Sequence, residues 1–353
     1  MAGSSSFKKI MITKLSKDFR EATEIQTASL GAPGSDEIII KNRFVGINAS
    51  DINFTAGKYF TDAKPPFGAG FEGVGEVSAI GDKVTNIKVG QPVAYMGSFG
   101  GFAEYLKVPA NKVIPLPIPE AKAEIVALLV SGMTAVVALE KVGEIKSGEK
   151  VLITGAAGGT GQFAVQWAKN AGCHVIGTCS TDEKVELLKK IGCDRPINLS
   201  KEDLKDVLKK EYPAGVNVVY ECIGGPVFDA CVDGLAEKGR LIIIGFISGY
   251  QSESGNQFQA SALPGKLLFK SASARGFFLM TYQSEVPEYF PQLLKGYLTG
   301  GIKIAIDNGE NYSKGPFKGL EAVADAVDYL YTKKSKGKIV VEINASKKDS
   351  TSL

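Results

Sequence analysis

The stretch Gly155-Ala156-Ala157-Gly158-Gly159-Thr160-Gly161 constrains this chain more than any other. It follows an apolar run, Val151-Leu152-Ile153-Thr154, and opens a segment in which Phe163 and Trp167 stand four apart, as on one helix face. A strand that turns through glycines straight into a helix presents backbone N–H groups and the positive end of the helix dipole to an anion. The glycines let the backbone approach a diphosphate and let the helix pack on the strand. The spacing is G-x-x-G-x-x-G, which by itself is also compatible with a turn that holds no ligand. The strand, turn, helix and following strand in sequence predict a dinucleotide site.

The texture after Lys150 supports that reading. VLIT, HVIGT, RPINL, VNVVYE and RLIIIGF are short apolar runs separated by helical patterns, including KEDLKDVLKKE and a segment near 226–237. Strands alternating with helices predict an α/β domain with a parallel sheet covered on both faces. Ser180 and Glu183 read as a capping box into EKVELLKKIG. The second strand ends in Gly177-Thr178-Cys179-Ser180-Thr181, with no acid at its tip. A site for NAD usually carries Asp or Glu there for the ribose 2′-hydroxyl. Ser180 and Lys184 fit a 2′-phosphate instead, so NADP(H) is the expected cofactor. Asp182 reads better as a first-turn helix residue.

Before this domain, residues 7–120 are strand-rich, as in EIIIKNRFVGIN, GFEGVGEVSAIG, QPVAYM and FAEYLKVP. A proline hinge, PLPIPE, leads to a helix expected from Lys122 to about Val142. Beyond Gly276 the pattern gives a helix at about 285–298, an amphipathic helix at about 317–332 and a last strand, KIVVEI.

Composition narrows the chemistry. The single histidine, His174, opens a strand of the cofactor sheet, which leaves no two-histidine metal site and reads as a bland surface position. With 41 Lys+Arg against 38 Asp+Glu, the balance is too even for the basic surface that nucleic-acid binding needs, so no nucleic acid is expected. Five scattered cysteines without a CxxC pair fit reduced thiols in the cytoplasm. No run of about 18 apolar residues predicts a membrane span. The ending Thr351-Ser352-Leu353 shares only part of the peroxisomal Ser-Lys-Leu address, which keeps that compartment as a second expectation.

Several motifs together carry a resemblance: Asn48-Ala-Ser-Asp51-Ile-Asn, Gly57-Lys-Tyr59, Gly70-Phe71-Glu72-Gly-Val-Gly, Ser131-Gly-Met-Thr134-Ala, the glycine turn and Gly337-Lys338-Ile-Val-Val. From about residue 8 to 345 the chain resembles the medium-chain dehydrogenase/reductase superfamily, in its zinc-free branch of enone and quinone reductases. That implies a GroES-like β-rich catalytic domain over 1–130 and 303–353, and a Rossmann, doubly wound parallel-sheet NADP-binding domain over 131–302. Zinc-dependent members hold ligands where this chain has Asn48, Phe71 and, less securely, Val130. None of these is a zinc ligand type, so no metal is expected.

The resemblance also implies roles. Tyr59 and Tyr250 are the two candidate donors to the substrate oxygen, and either phenol also suits the cofactor ribose. Asn48 and Asp51 read as positioning residues or equally as a turn-forming pair. Asn48, Thr134, Gly224, Gly245, Phe246, Phe277, Phe278, Ser335 and Lys338 join Gly155, Gly158, Gly159, Thr160, Gly161, Ser180 and Lys184 as implied cofactor contacts. Leu199 replaces a tyrosine that relatives often use near the adenosine phosphate, which lowers the expected affinity for NADPH. Phe44, Phe60, Phe71 and Tyr282 join the aromatic candidates for an apolar, lipid-sized pocket. The implied reaction is NADPH-dependent reduction of the conjugated double bond of α,β-unsaturated ketones, of the 15-oxo-prostaglandin 13-reductase kind. A quinone acceptor and a non-enzymatic NADPH-binding or RNA-binding role are the alternatives, and a homodimer is expected.

Overall fold

Short, almost wholly apolar runs in the middle of the chain form a parallel sheet, because each must be covered on both faces. A computed structural model describes residues 6–59, 64–97, 100–251 and 262–345. Phe60 and the Thr351-Ser352-Leu353 ending lie outside the described residues. The sheet order is Arg195–Asn198, His174–Cys179, Lys150–Ile153, Val216–Glu221, Leu235–Ile243 and Ser273–Gly276. Every neighbouring pair in it is parallel. The order reverses between Lys150–Ile153 and Val216–Glu221, and such a reversal opens a crevice at the carboxyl ends of the strands. Leu152, Ile176, Val219 and Leu241 are fully buried along these strands, packed with Leu208, Phe228 and Val232.

This sheet belongs to one compact unit, Ser131–Ala305. Its helices depart from the sequence reading at three places. Thr181, not Ser180, caps the helix Asp182–Lys190, its hydroxyl accepting the Lys184 N–H at 3.3 Å. The expected box fails because Thr181 takes up the extended cap conformation one residue later. The helix expected to reach 237 stops at Asp233, and the strand Leu235–Ile243 begins at once. The edge strand Ser273–Gly276 and the helix Leu263–Leu268 escaped sequence reading, since neither is long enough to show a period.

The other unit comprises the residues up to Val130 and those from Ile306 on. Its main sheet runs Ile306–Asp307, Lys338–Glu342, Glu37–Gly46, Glu72–Ile80, Pro92–Met96, Val113–Pro115, with Tyr105–Pro109 also paired to Glu37–Gly46. Lys338–Glu342 lies antiparallel on Glu37–Gly46, Val340 opposite Gly46, so the end of the chain completes the sheet its beginning started. A smaller three-stranded sheet joins Thr23–Ser29, Ser6–Ile12 and Phe67–Gly68. Val45, Ile52, Phe54, Phe102, Phe317, Val323 and Val341 share one core. The helix expected from 317 begins at Ala322, because Gly319 takes φ +77° and Phe317 is buried ahead of it.

The run Ala123–Gly143 is helical as expected, broken by a kink at Leu129 with ψ −108°. It is long and apolar enough to cross a membrane, but 78% of its apolar window is buried inside the protein. That burial accounts for its composition.

Leu152→Ala removes a fully buried side chain from the central strand of the parallel sheet. It is expected to destabilise the unit by about 2–5 kcal/mol, read as a lower urea midpoint of the parallel-sheet transition.

Candidate active site

The glycine turn is shaped by its own close contacts. Gly155 N donates to Thr178 Oγ1 at 3.1 Å, and Ala156 N to the Thr178 carbonyl at 2.9 Å, which fastens the turn to the neighbouring strand. A Cβ on Gly161 would lie 2.5 Å from the Gly155 carbonyl oxygen and 2.6 Å from Ala156 Cα, so only glycine lets the helix start this close to the strand. Gly158 N closes the turn on Gly155 O at 2.9 Å. Gly159 and Thr160 complete the turn, and the helix Gly161–Asn170 carries no side-chain cap. By contrast, Thr181 and Asp203 fill the caps of the next two helices. Thr160 turns its hydroxyl inward, to Ser131 O at 3.0 Å and Tyr220 OH at 2.6 Å. Only its backbone N–H is therefore left to face an anion.

The adenosine side follows at the tip of His174–Cys179. Lys184 is buried, and its Nζ reaches Ser180 Oγ at 3.5 Å. Asp182 points to the next strand's loop, accepting from Asn198 Nδ2 at 2.9 Å and pairing with Lys201 at 2.6 Å. Lys201 and Asn198 hold its carboxyl below the usual range. No acid is thus left at the strand tip for a ribose 2′-hydroxyl, and a cationic side chain stands beside Ser180. Leu199 packs on the apolar cluster below. His174 sits at the opposite end of its strand, bonded to the Tyr212 hydroxyl at 3.0 Å.

The remaining candidates of this unit also follow the carboxyl ends of strands. Gly224 comes after Val216–Glu221, Gly245 and Phe246 after Leu235–Ile243, and Phe277 and Phe278 after Ser273–Gly276. Phe277 N donates to Ile243 O at 3.0 Å, and its buried ring stacks on Tyr282 with centroids 5.0 Å apart, while Phe278 is exposed. Tyr250 is buried, its hydroxyl accepting the Phe246 N–H at 3.3 Å. A side chain on Gly245 would begin 2.6 Å from that hydroxyl. Thr134 is half-buried in the helix Met133–Val137.

Glu221 went unnoticed in the sequence. It ends the strand next to the glycine turn, fully buried. Its Oε1 accepts from Ile223 N at 2.8 Å, Gly224 N at 3.0 Å and Thr154 Oγ1 at 3.3 Å, so it ties two strand ends together. Burial pushes its carboxyl up, against those donors. A strand-ending acid before Cys-Ile-Gly-Gly was the available signal.

In the other unit, Asn48 stands at the centre of a buried polar network. Its Nδ2 donates to Glu72 Oε1 at 2.8 Å, and its Oδ1 accepts from Lys338 Nζ at 2.7 Å. Lys338 Nζ also lies 2.6 Å from Glu72 Oε1, with side-chain exposures of 2% and 0%. Glu72 Oε2 accepts the Val130 N–H at 2.7 Å. Asn48 N donates to Asp51 Oδ2 at 2.8 Å. Tyr59 follows the helix Ser50–Thr55 that this bond starts, and Asn53 Nδ2 approaches its hydroxyl at 3.4 Å. Burial raises the Tyr59 phenol, so it is held protonated. Ser335 lies half-buried just before the strand that carries Lys338. Phe71 packs edge-on against Phe54, 4.8 Å between centroids, and Tyr59 tilts over Phe71 at 6.4 Å. Phe44 lies under the Arg43 guanidinium at 5.5 Å.

A zinc ion does not fit this place. Asn48 spends its carboxamide on Glu72 and Lys338, Phe71 offers a ring, and Val130 offers a backbone N–H. Among the described residues no three His, Cys, Asp or Glu side chains gather as a ligand set.

Lys338→Met leaves Glu72 buried without its cation and is expected to cost about 3–5 kcal/mol, read as a lower unfolding midpoint. Gly161→Ala is expected to weaken NADPH binding at least about tenfold by calorimetry while far-UV circular dichroism is unchanged.

The comparisons with known proteins agree with this geometry. An alcohol dehydrogenase GroES-like domain profile matches residues 34–118, and a zinc-binding dehydrogenase profile matches 159–295. Prostaglandin reductase-3 of Mus musculus is 54% identical over 96% of this chain and 90% of its own length. A probable quinone oxidoreductase of Leishmania amazonensis is 45% identical over 97% of this chain and 100% of its own. Among solved structures, Escherichia coli quinone oxidoreductase complexed with NADPH superposes with a TM-score of 0.80 at 27% identity, over 95% of this chain and 99% of that one. With the parallel sheet, the glycine turn and the Asn48 network in place, the chain belongs to the medium-chain dehydrogenase/reductase superfamily, in the group that contains the prostaglandin reductase-3 proteins.

Proposed function

We propose that this protein is an NADPH-dependent, zinc-independent reductase of the conjugated double bond of α,β-unsaturated ketones, with 15-oxo-prostaglandins as the substrate class. The observation that carries it is the pairing of an uncapped glycine turn that suits NADP(H) with a metal position rebuilt as the Asn48–Glu72–Lys338 network. When bound, the cofactor supplies the hydride that reaches the β-carbon.

Without a metal, the ketone must be polarised by hydrogen-bond donors, since negative charge grows on its oxygen as the enolate forms. Tyr59 serves as that donor: its phenol is held protonated by burial, and Asn53 Nδ2 donates to its oxygen. Tyr250 shapes the loop after Leu235–Ile243 by taking the Phe246 N–H. Gly159, Thr160 and Gly161 offer backbone N–H groups to the diphosphate, Gly158 closes the turn that presents them, and Lys184 with Ser180 receives the 2′-phosphate. Asn48 and Lys338 keep Glu72 neutralised, which spares the forming enolate a repelling charge.

A quinone acceptor is the second reading, favoured by the quinone oxidoreductases among the relatives. Reduction by NADPH of an enone and of a menadione-type quinone, compared under equal conditions, separates the two. The enone is expected to show the higher kcat/KM, and a clear preference for the quinone contradicts the proposal. Homodimer formation belongs to this proposal; it is supported by the edge strand Ser273–Gly276 beside exposed Leu268 and Phe269. A reducing compartment, the cytoplasm, is proposed on the five free cysteines.

Tyr59→Phe is expected to lower kcat with an enone about 10²-fold and leave the NADPH dissociation constant unchanged. Lys184→Ala is expected to erode the preference for NADPH over NADH about tenfold, measured as the ratio of the two dissociation constants.

A further inference from the structure

The polar network of the GroES-like unit holds more acid than base. Glu72 and Lys338 pair at 2.6 Å and cancel. Asp51 adds a second carboxyl, 2% exposed. Its Oδ2 accepts the Asn48 N–H, but its Oδ1 is buried with no hydrogen-bond partner. A carboxylate buried with an unmatched oxygen is costly, and a group so placed takes up a proton instead.

The groups around Asp51 act in both directions, and burial outweighs them. Glu72, on the strand Glu72–Ile80, repels its charge. Lys338, on Lys338–Glu342, attracts it but is already engaged by Glu72 and Asn48. Tyr59, which follows the helix Ser50–Thr55, has its phenol raised chiefly by burial, and the Asp51 charge adds to that. Tyr331 donates its hydroxyl to the Ala49 carbonyl, just before this helix, at 2.8 Å. Burial, opposed by the Asn48 N–H and Lys338, pushes the Asp51 carboxyl up to about 7.

We propose that Asp51 is a positioning residue for the Tyr59 donor: as a neutral acid it adds no charge to the surroundings in which Tyr59 polarises the substrate oxygen, and as a carboxylate it sets a negative charge against the forming enolate. This rests on the assignment of Tyr59 as that donor. The sign of the pH effect follows. The fold holds this proton to higher pH than the unfolded chain does, so its contribution favours folding at acid pH and is lost as pH rises through neutral. Catalysis is expected to fall over the same window, by about tenfold for one added negative charge.

The test compares the wild type with Asp51→Asn, which mimics the neutral acid in shape and charge. Wild-type kcat/KM with an enone is expected to fall between about pH 6 and about pH 8, and D51N is expected to be flat there, close to the acid-limb rate. A D51N profile that falls as the wild type does, a uniform loss at every pH, or a wild type with no transition overturns the proposal. Difference infrared spectroscopy reads the proton without catalysis. A protonated-carboxyl carbonyl band is expected in the wild type, absent from D51N and bleaching across the same pH window. Its absence from the wild type at about pH 6 overturns the proposal even if D51N fails to fold. Tyr59→Phe separates the premises: full activity with the infrared band intact overturns the role of Tyr59, and with it the positioning role, while the Asp51 proton stands.

Discussion

A buried ion pair, Glu72 with Lys338, is what the GroES-like unit is built around. The two residues come from opposite ends of the chain, and the unit is complete only when the last strand returns beside Glu37–Gly46. A buried pair is not in itself a source of stability, because desolvation offsets the attraction. Its value lies in what breaking it would leave behind, an uncompensated charge in the core. Asn48 bridges both partners, and its backbone N–H then fixes Asp51 at the head of the helix that leads to Tyr59. Strand return and tyrosine placement therefore share one network.

The parallel-sheet unit rests on a different constraint. Its strand order reverses beside the glycine turn, and the carboxyl ends of its strands carry nearly every residue suited to the cofactor. Thr178 fastens the glycine turn by accepting the Gly155 N–H, while Glu221 accepts the N–H groups of its own following loop and the Thr154 hydroxyl. Asp182 is drawn off by Asn198 and Lys201, and Lys184 with Ser180 stands at that strand end instead.

Much of this was legible in the sequence, and unevenly so. The alternation of apolar strands and helices and the glycine turn specify the parallel sheet, because period and glycine placement are local properties. The absence of zinc ligands at Asn48 and Phe71 was equally legible, being a matter of residue type. Distance along the chain hides the rest. Nothing near Lys338 announces Glu72, and nothing near Asp51 announces that one of its oxygens is buried without a partner. The edge strand Ser273–Gly276 was missed for want of length, and the cap was placed one residue early because Ser180 and Thr181 are both good caps. Cap choice between adjacent hydroxyl residues is decided by backbone geometry, which composition does not carry.

The central claim is that the chain saturates a carbon–carbon bond adjacent to a ketone without a metal. Reduction of an enone with NADPH deuterated at the transferable C4 position, followed by NMR of the product, tests it most directly. The account predicts one deuterium at the β-carbon, none at the α-carbon, and an intact ketone. Deuterium on the carbinol carbon of an allylic alcohol, or a product without deuterium on carbon, contradicts it.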